Sequence, residues 1–104
     1  MPANYQSSMV FPANGSRVFQ ACLQAVPQCG FRVVSSNPET GEVHASAKMG
    51  FRSWGENIAI NVNGDGRVDI KSSCRGIQLV DYGKNRANVD ALFSAVSGLV
   101  GTGG

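Results

Sequence analysis

Three stretches of this chain alternate apolar and polar residues with a period of two, and that alternation limits the fold more than any other feature. In residues 42–48, Val43, Ala45 and Ala47 fall on one side, and Glu42, His44, Ser46 and Lys48 on the other. In residues 56–63, Ile58, Ile60 and Val62 alternate with Asn57, Ala59 and Asn61. In residues 67–75, Val68, Ile70, Ser72 and Cys74 alternate with Arg67, Asp69, Lys71, Ser73 and Arg75. Successive side chains of an extended strand point to opposite faces, so each stretch reads as a strand with one face buried. Asn63-Gly-Asp-Gly66 joins the last two as a hairpin, because these residues tolerate positive φ. Residues 31–35 read as one more strand, closed by a turn at 37–41.

Two amphipathic segments flank the strands. Val18, Cys22 and Val26 lie four apart with Phe19 and Leu23 beside them, which makes one apolar helical stripe. Ser16 is the expected N-cap, and Pro27 and Gly30 the stop. Near the C-terminus Val89, Leu92, Phe93 and Val96 share a helix face, with Asn85 or Asn88 as the expected cap and Gly98 and Gly101 as the end. Residues 1–15 read as a polar arm, in which Val10 and Phe11 suit a short edge strand. Residues 101–104 read as a disordered tail. The expectation is one α+β domain over 16–100, in the order α-β-β-β-β-α. Its four-stranded antiparallel sheet carries both helices on one face. The other face would present His44, Ser46, Asn57, Asn61, Asp69, Lys71 and Ser73.

The length of 104 residues suits a single domain. With 42% hydrophobic and 15% charged residues the chain is globular rather than disordered. A net charge of +2 from nine basic and seven acidic residues does not by itself point to nucleic acid or to an anionic membrane. No stretch reaches the ~18 apolar residues of a membrane span. The N-terminus lacks the basic and apolar regions of a secretory signal, so a cytoplasmic location is expected. Cys22, Cys29 and Cys74 form no C-x-x-C pair, and His44 is the single histidine. Buried free thiols are therefore expected, with no metal and no cofactor.

Other segments carry side chains with chemical potential. Asn61-Val-Asn-Gly-Asp65-Gly66 imitates the start of a calcium loop, but Ser72 stands where the bidentate glutamate is needed, and a plain hairpin turn is expected. His44 on a polar strand face lacks the constellation of a catalytic triad. Residues 49–54 bring Phe51, Arg52 and Trp54 into one loop, and such residues make binding hot spots. Arg67, Lys71 and Arg75 line one strand face, with Asp69 among them. In 81–86, Gly83 supplies a permissive backbone, Asn85 a cap, and Asp81 is expected to pair with Arg86. Lys84 and Arg86 at a helix entry would alternatively favour an anion.

The last third, Ser72-Ser-Cys-Arg75-Gly76 followed by Asp81, Gly83, Asn85 and Arg86, resembles a small uncharacterised bacterial domain family. Its members end with Ser-x-Ser-Arg-x-Gly, then Asp-x-Gly-x-Asn-Arg and an amphipathic helix. Gly50-Phe51 resembles the same family. The resemblance implies a fold and a turn, and no reaction. The functional expectation is a non-enzymatic module that binds a protein partner or self-associates as a homodimer. The alternative is a weak nucleic-acid or anion binder that uses the basic strand face and the aromatic loop.

Overall fold

The structure is a computed structural model that describes residues 4–47, 55–74 and 83–101. The elements run β1 (Asn4–Val10), α1 (Gly15–Gln28), β2 (Arg32–Asn37), β3 (Glu42–Ala47), β4 (Glu56–Val62), β5 (Arg67–Cys74) and α2 (Lys84–Val100). The sheet is antiparallel with the order β1-β5-β4-β3-β2. The α+β class, the antiparallel sheet and the two helices are as expected. The strand count is five and not four. Seven residues of the N-terminal arm form β1, which pairs with β5 from Asn4↔Ser73 to Val10↔Arg67. Its sequence, Asn-Tyr-Gln-Ser-Ser-Met-Val, hides the strand, because the inward row is Tyr5, Ser7 and Met9, too polar to show a hydrophobic period.

Strands β2 to β5 form a meander, and β1 adds to its far edge. Phe11 closes that addition: its N–H donates to the Gly66 carbonyl at 3.0 Å. Gly66 has φ +93°, and a Cβ there would press into the Phe11 carbonyl, so the hairpin glycine also seats the end of β1. Gly41, at φ +77°, lies against the Val62 carbonyl, which leaves no room for a side chain. It ends the turn between β2 and β3, and its carbonyl accepts the Val62 N–H at 2.8 Å.

Both helices cover the same face of the sheet. α1 packs on β2, β3 and β4, α2 on β1 and β5, and the helices also touch each other. The inward rows Val43-Ala45-Ala47, Ile58-Ile60-Val62 and Val68-Ile70 are buried beneath Val18, Cys22 and Val26 of α1 and Val89, Leu92 and Val96 of α2. α1 starts earlier than expected: Asn14, not Ser16, is the N-cap, and its Oδ1 accepts the Arg17 N–H at 2.9 Å. The helix absorbs Pro27 in its last turn. It ends through Gly30 at φ +83°, with the Phe31 N–H closing back on Val26. Arg17 then spans the two helices, its Nη2 donating to the Val100 carbonyl at 2.6 Å. No helix among the described residues is long and apolar enough to cross a membrane.

Candidate functional site

Alternation on β4 continues one inward position before Ile58, to Glu56. That carboxylate is therefore carried onto the inner face, where it is 1% exposed. On β5 the same inward row runs Val68, Ile70 and then Ser72, which is fully buried and sits opposite Ile58. The apolar interior thus turns polar at one end of the sheet. α2 covers this end with its first two turns, and its inward positions there are Asn85 and Asn88. Neither is a cap. The N-cap is Gly83, at φ +77° and with no side-chain cap bond. The expectation that an asparagine would cap α2 is corrected: both amides are needed lower down, over the polar end of the core.

The four side chains form one hydrogen-bonded chain. The Ser72 hydroxyl donates to Asn85 Oδ1 at 2.8 Å. Asn88 Nδ2 donates to Ser72 Oγ at 3.2 Å and to Glu56 Oε1 at 2.9 Å, which uses both amide hydrogens. Glu56 Oε2 is buried and has no hydrogen-bond partner. A buried carboxylate oxygen without a donor is costly, and among the described residues this atom stands out for that reason. Neither salt bridge found among the described residues involves Glu56.

The residues singled out in the sequence lie elsewhere. Phe51, Arg52 and Trp54, and likewise Arg75 and Asp81, fall outside the described residues. Arg67 and Lys71 are exposed on the outer sheet face as expected, but Arg67 is held by Asp69 at 3.3 Å. Asp69 also accepts from the Ser8 hydroxyl across the β1–β5 ladder. Lys71 lines a shallow outer-face hollow of about 270 Å³ with Gln6, Glu42, His44 and Asp69, a mixed set of charges. Arg86 is exposed. It pairs with Asp90 at 3.6 Å, one turn along α2, and lies over the Tyr5 ring at 5.8 Å. A larger cleft of about 520 Å³ opens between the start of α1, the turn after β2 and the β4–β5 hairpin, with Glu39 among the residues that line it. Burial pushes the Cys22 thiol up to about 12 and raises the half-buried Cys29. No group of metal-binding side chains occurs among the described residues.

The meeting of Glu56, Ser72, Asn85 and Asn88 is not expected from the sequence. One signal of it is there: Glu56 shares the parity of Ile58, Ile60 and Val62. An acid at the end of an inward row asks for polar partners.

No family model and no curated protein matches the chain. Among solved structures, Ara h 8.0201 superposes with a TM-score of 0.61, covering 93% of this chain and 96% of that one, at 10% identity. The chain resembles Ara h 8.0201 in fold. At that identity the likeness is one of architecture, an antiparallel sheet with helices packed on it.

Proposed function

We propose that the protein is a non-enzymatic binding module that works as a homodimer joined through the β1 edge of its sheet. The observation that carries this reading is the character of that edge. β1 is seven residues long and contains no charged residue and no proline. Among the described residues no other strand pairs with this edge, and it has none of the usual features that discourage pairing. Met9 and Val10 at its end are 43% and 69% exposed. The opposite edge differs. β2 carries Arg32 and is bulged at Val34, where the register with β3 shifts between Val33 and Ser35. Bulges and charges blunt an edge.

A neutral strand suits a second copy of itself, because antiparallel pairing about a two-fold axis brings no like charges together. Pairing along β1 would add roughly six backbone hydrogen bonds, each worth a net ~0.5–1.5 kcal/mol. Set against an association cost of at least ~4 kcal/mol, six such bonds leave at most about 5 kcal/mol, which supports a weak dimer with an affinity no tighter than roughly 0.2 mM rather than an obligate one. The nucleic-acid alternative is less favoured, since Asp69 neutralises Arg67 and the outer hollow mixes Glu42 and Asp69 with Lys71.

Sedimentation equilibrium tests the proposal. The protein should form a dimer in the sub-millimolar range. Gln6→Lys with Val10→Lys, both on the solvent-facing side of β1, should give a monomer of unchanged melting temperature. A wild-type protein that stays monomeric at high concentration refutes it, as does a dimer indifferent to the two lysines.

A further inference from the structure

We infer that the cleft between the start of α1, the β2–β3 turn and the β4–β5 hairpin is a binding site for a neutral sugar ring. The cleft shares no residue with β1, so this binding is separate from self-association. Its volume of about 520 Å³ lies within the roughly 300–1,000 Å³ of small-molecule sites.

Backbone contacts lock the three walls together, so the cleft is built before any occupant arrives. The Gly15 N–H donates to the Gly64 carbonyl at 3.2 Å, which fastens α1 to the hairpin. A Cβ on Gly15 would lie 2.8 Å from the Asn63 carbonyl oxygen and from Gly64 Cα, so glycine is what allows this approach. Gly41 fastens the β2–β3 turn to the end of β4 through the Val62 N–H, and it too leaves no room for a side chain. Asn14 holds the first turn of α1 through the Arg17 N–H. A preformed site loses little binding free energy to its own ordering.

The lining residues select the chemistry. Glu39 is the one ionisable residue among them, and none carries a positive charge, so an anion such as phosphate finds no cationic side chain. Ser16, Gln20 and Asn63 are exposed, and their side chains make no hydrogen bond among the described residues. Amides and hydroxyls both donate and accept, as does every hydroxyl of a sugar, and the Glu39 carboxylate can accept from two neighbouring ones. Beneath these groups the cleft is floored by the buried Phe19 and Val62. A pyranose has the same division, with hydroxyls around its rim and C–H groups on its faces. A wholly apolar occupant would desolvate the two amides and the carboxylate without replacing their bonds to water.

The test is an NMR titration of the nitrogen-labelled full chain with glucose, galactose, N-acetylglucosamine, maltose and lactose, and with inorganic phosphate and ethylammonium as charged controls. At least one sugar should saturably shift the side-chain amides of Gln20 and Asn63 and the backbone amides of Gly41 and Gly64. For so few atoms in an open cleft, half-saturation should fall at about 1 mM or weaker. Gln20→Ala with Asn63→Ala should weaken the response about tenfold in a protein that stays folded by circular dichroism. Glu39→Gln, at an exposed turn position, should weaken it about fivefold and serves if the double variant does not fold. A response to the disaccharides alone supports the inference and assigns the cleft to a sugar chain. No saturable response to any sugar, an undiminished response in the variants, or an equal response to phosphate or ethylammonium at the same amides overturns it. The response should persist in the Gln6→Lys, Val10→Lys protein, so a failed homodimer would leave this result unchanged.

Discussion

Removing the central donor of the buried network should destabilise the protein far more than removing donor and acceptor together. Asn88→Leu keeps the number and branching of the side-chain heavy atoms but deletes two bonds, one to Glu56 Oε1 at 2.9 Å and one to Ser72 Oγ at 3.2 Å. A bond to a charged acceptor contributes about 1.5–3 kcal/mol and a neutral one about 0.5–1.5 kcal/mol, so the loss should be about 3 kcal/mol. For a domain of this size, that corresponds to a fall of roughly 12–24 °C in melting temperature. Glu56→Leu leaves one amide hydrogen of Asn88 unpaired but gains apolar burial at a site that is 1% exposed, and should cost about 1–2 kcal/mol. In the double variant neither an orphaned carboxylate nor an orphaned amide remains facing the other. Its cost should be within about 1 kcal/mol of wild type, and the coupling between the positions at least about 2 kcal/mol. Urea melts of the four proteins measure this directly. Additive losses, or an Asn88→Leu protein within about 0.5 kcal/mol of wild type, would show that the network is solvated and would refute the reasoning.

Gly41→Ala should cost about 2–4 kcal/mol by denaturant melts, because the position combines φ +77° with contact against the Val62 carbonyl, while Gly30→Ala, at φ +83° but in open space, should cost only about 1 kcal/mol. Arg86→Ala should change stability by no more than about 1 kcal/mol, because the pair with Asp90 is exposed on both sides and only the contact over the Tyr5 ring adds to it. Arg17→Ala should speed amide exchange at Gly101 and the last turn of α2 without affecting the centre of the sheet, since Arg17 ties the Val100 carbonyl to α1. Cys22 should resist a thiol reagent at pH 8 in the folded protein and react at once in guanidinium, with Cys29 between. As the folded thiol of Cys22 titrates at about 12 against an ordinary value of 9.0, its contribution to stability is intact below pH 9 and is lost as the pH rises toward 12.

Much of the fold was legible because the residues that form β3, β4 and β5 alternate with an unbroken period of two, and α1 shows one clean stripe through Val18, Cys22 and Val26. Local periodicity reports which side of an element is apolar, and burial in the structure follows it along β3, β4 and the start of β5. β1 was mostly illegible for the same reason. Its inner side, Tyr5, Ser7 and Met9, covers only the margin of the core, so nothing selects for a hydrophobic period, and the strand exists because β5 offers it an edge. The caps were misread for a related cause. Asn14, Ser16, Asn85 and Asn88 are all suitable capping residues by type, and only the direction from which the chain enters each helix determines which one caps.

The sequence by itself therefore determined the identity of the inward rows, the hairpin at residues 63–66 and the presence of two amphipathic helices, because these depend on neighbours within a few positions along the chain. The tertiary structure alone decided the position of β1 beside β5 and the meeting of Glu56, Ser72, Asn85 and Asn88. Glu56 and Asn88 are 32 positions apart, and nothing local to either residue encodes the other. Their contact follows from the register of β4 against β5 and from where α2 crosses the end of the sheet. It is in that contact, between a buried carboxylate and amides drawn from a distant helix, that the most distinctive chemistry of the molecule arises.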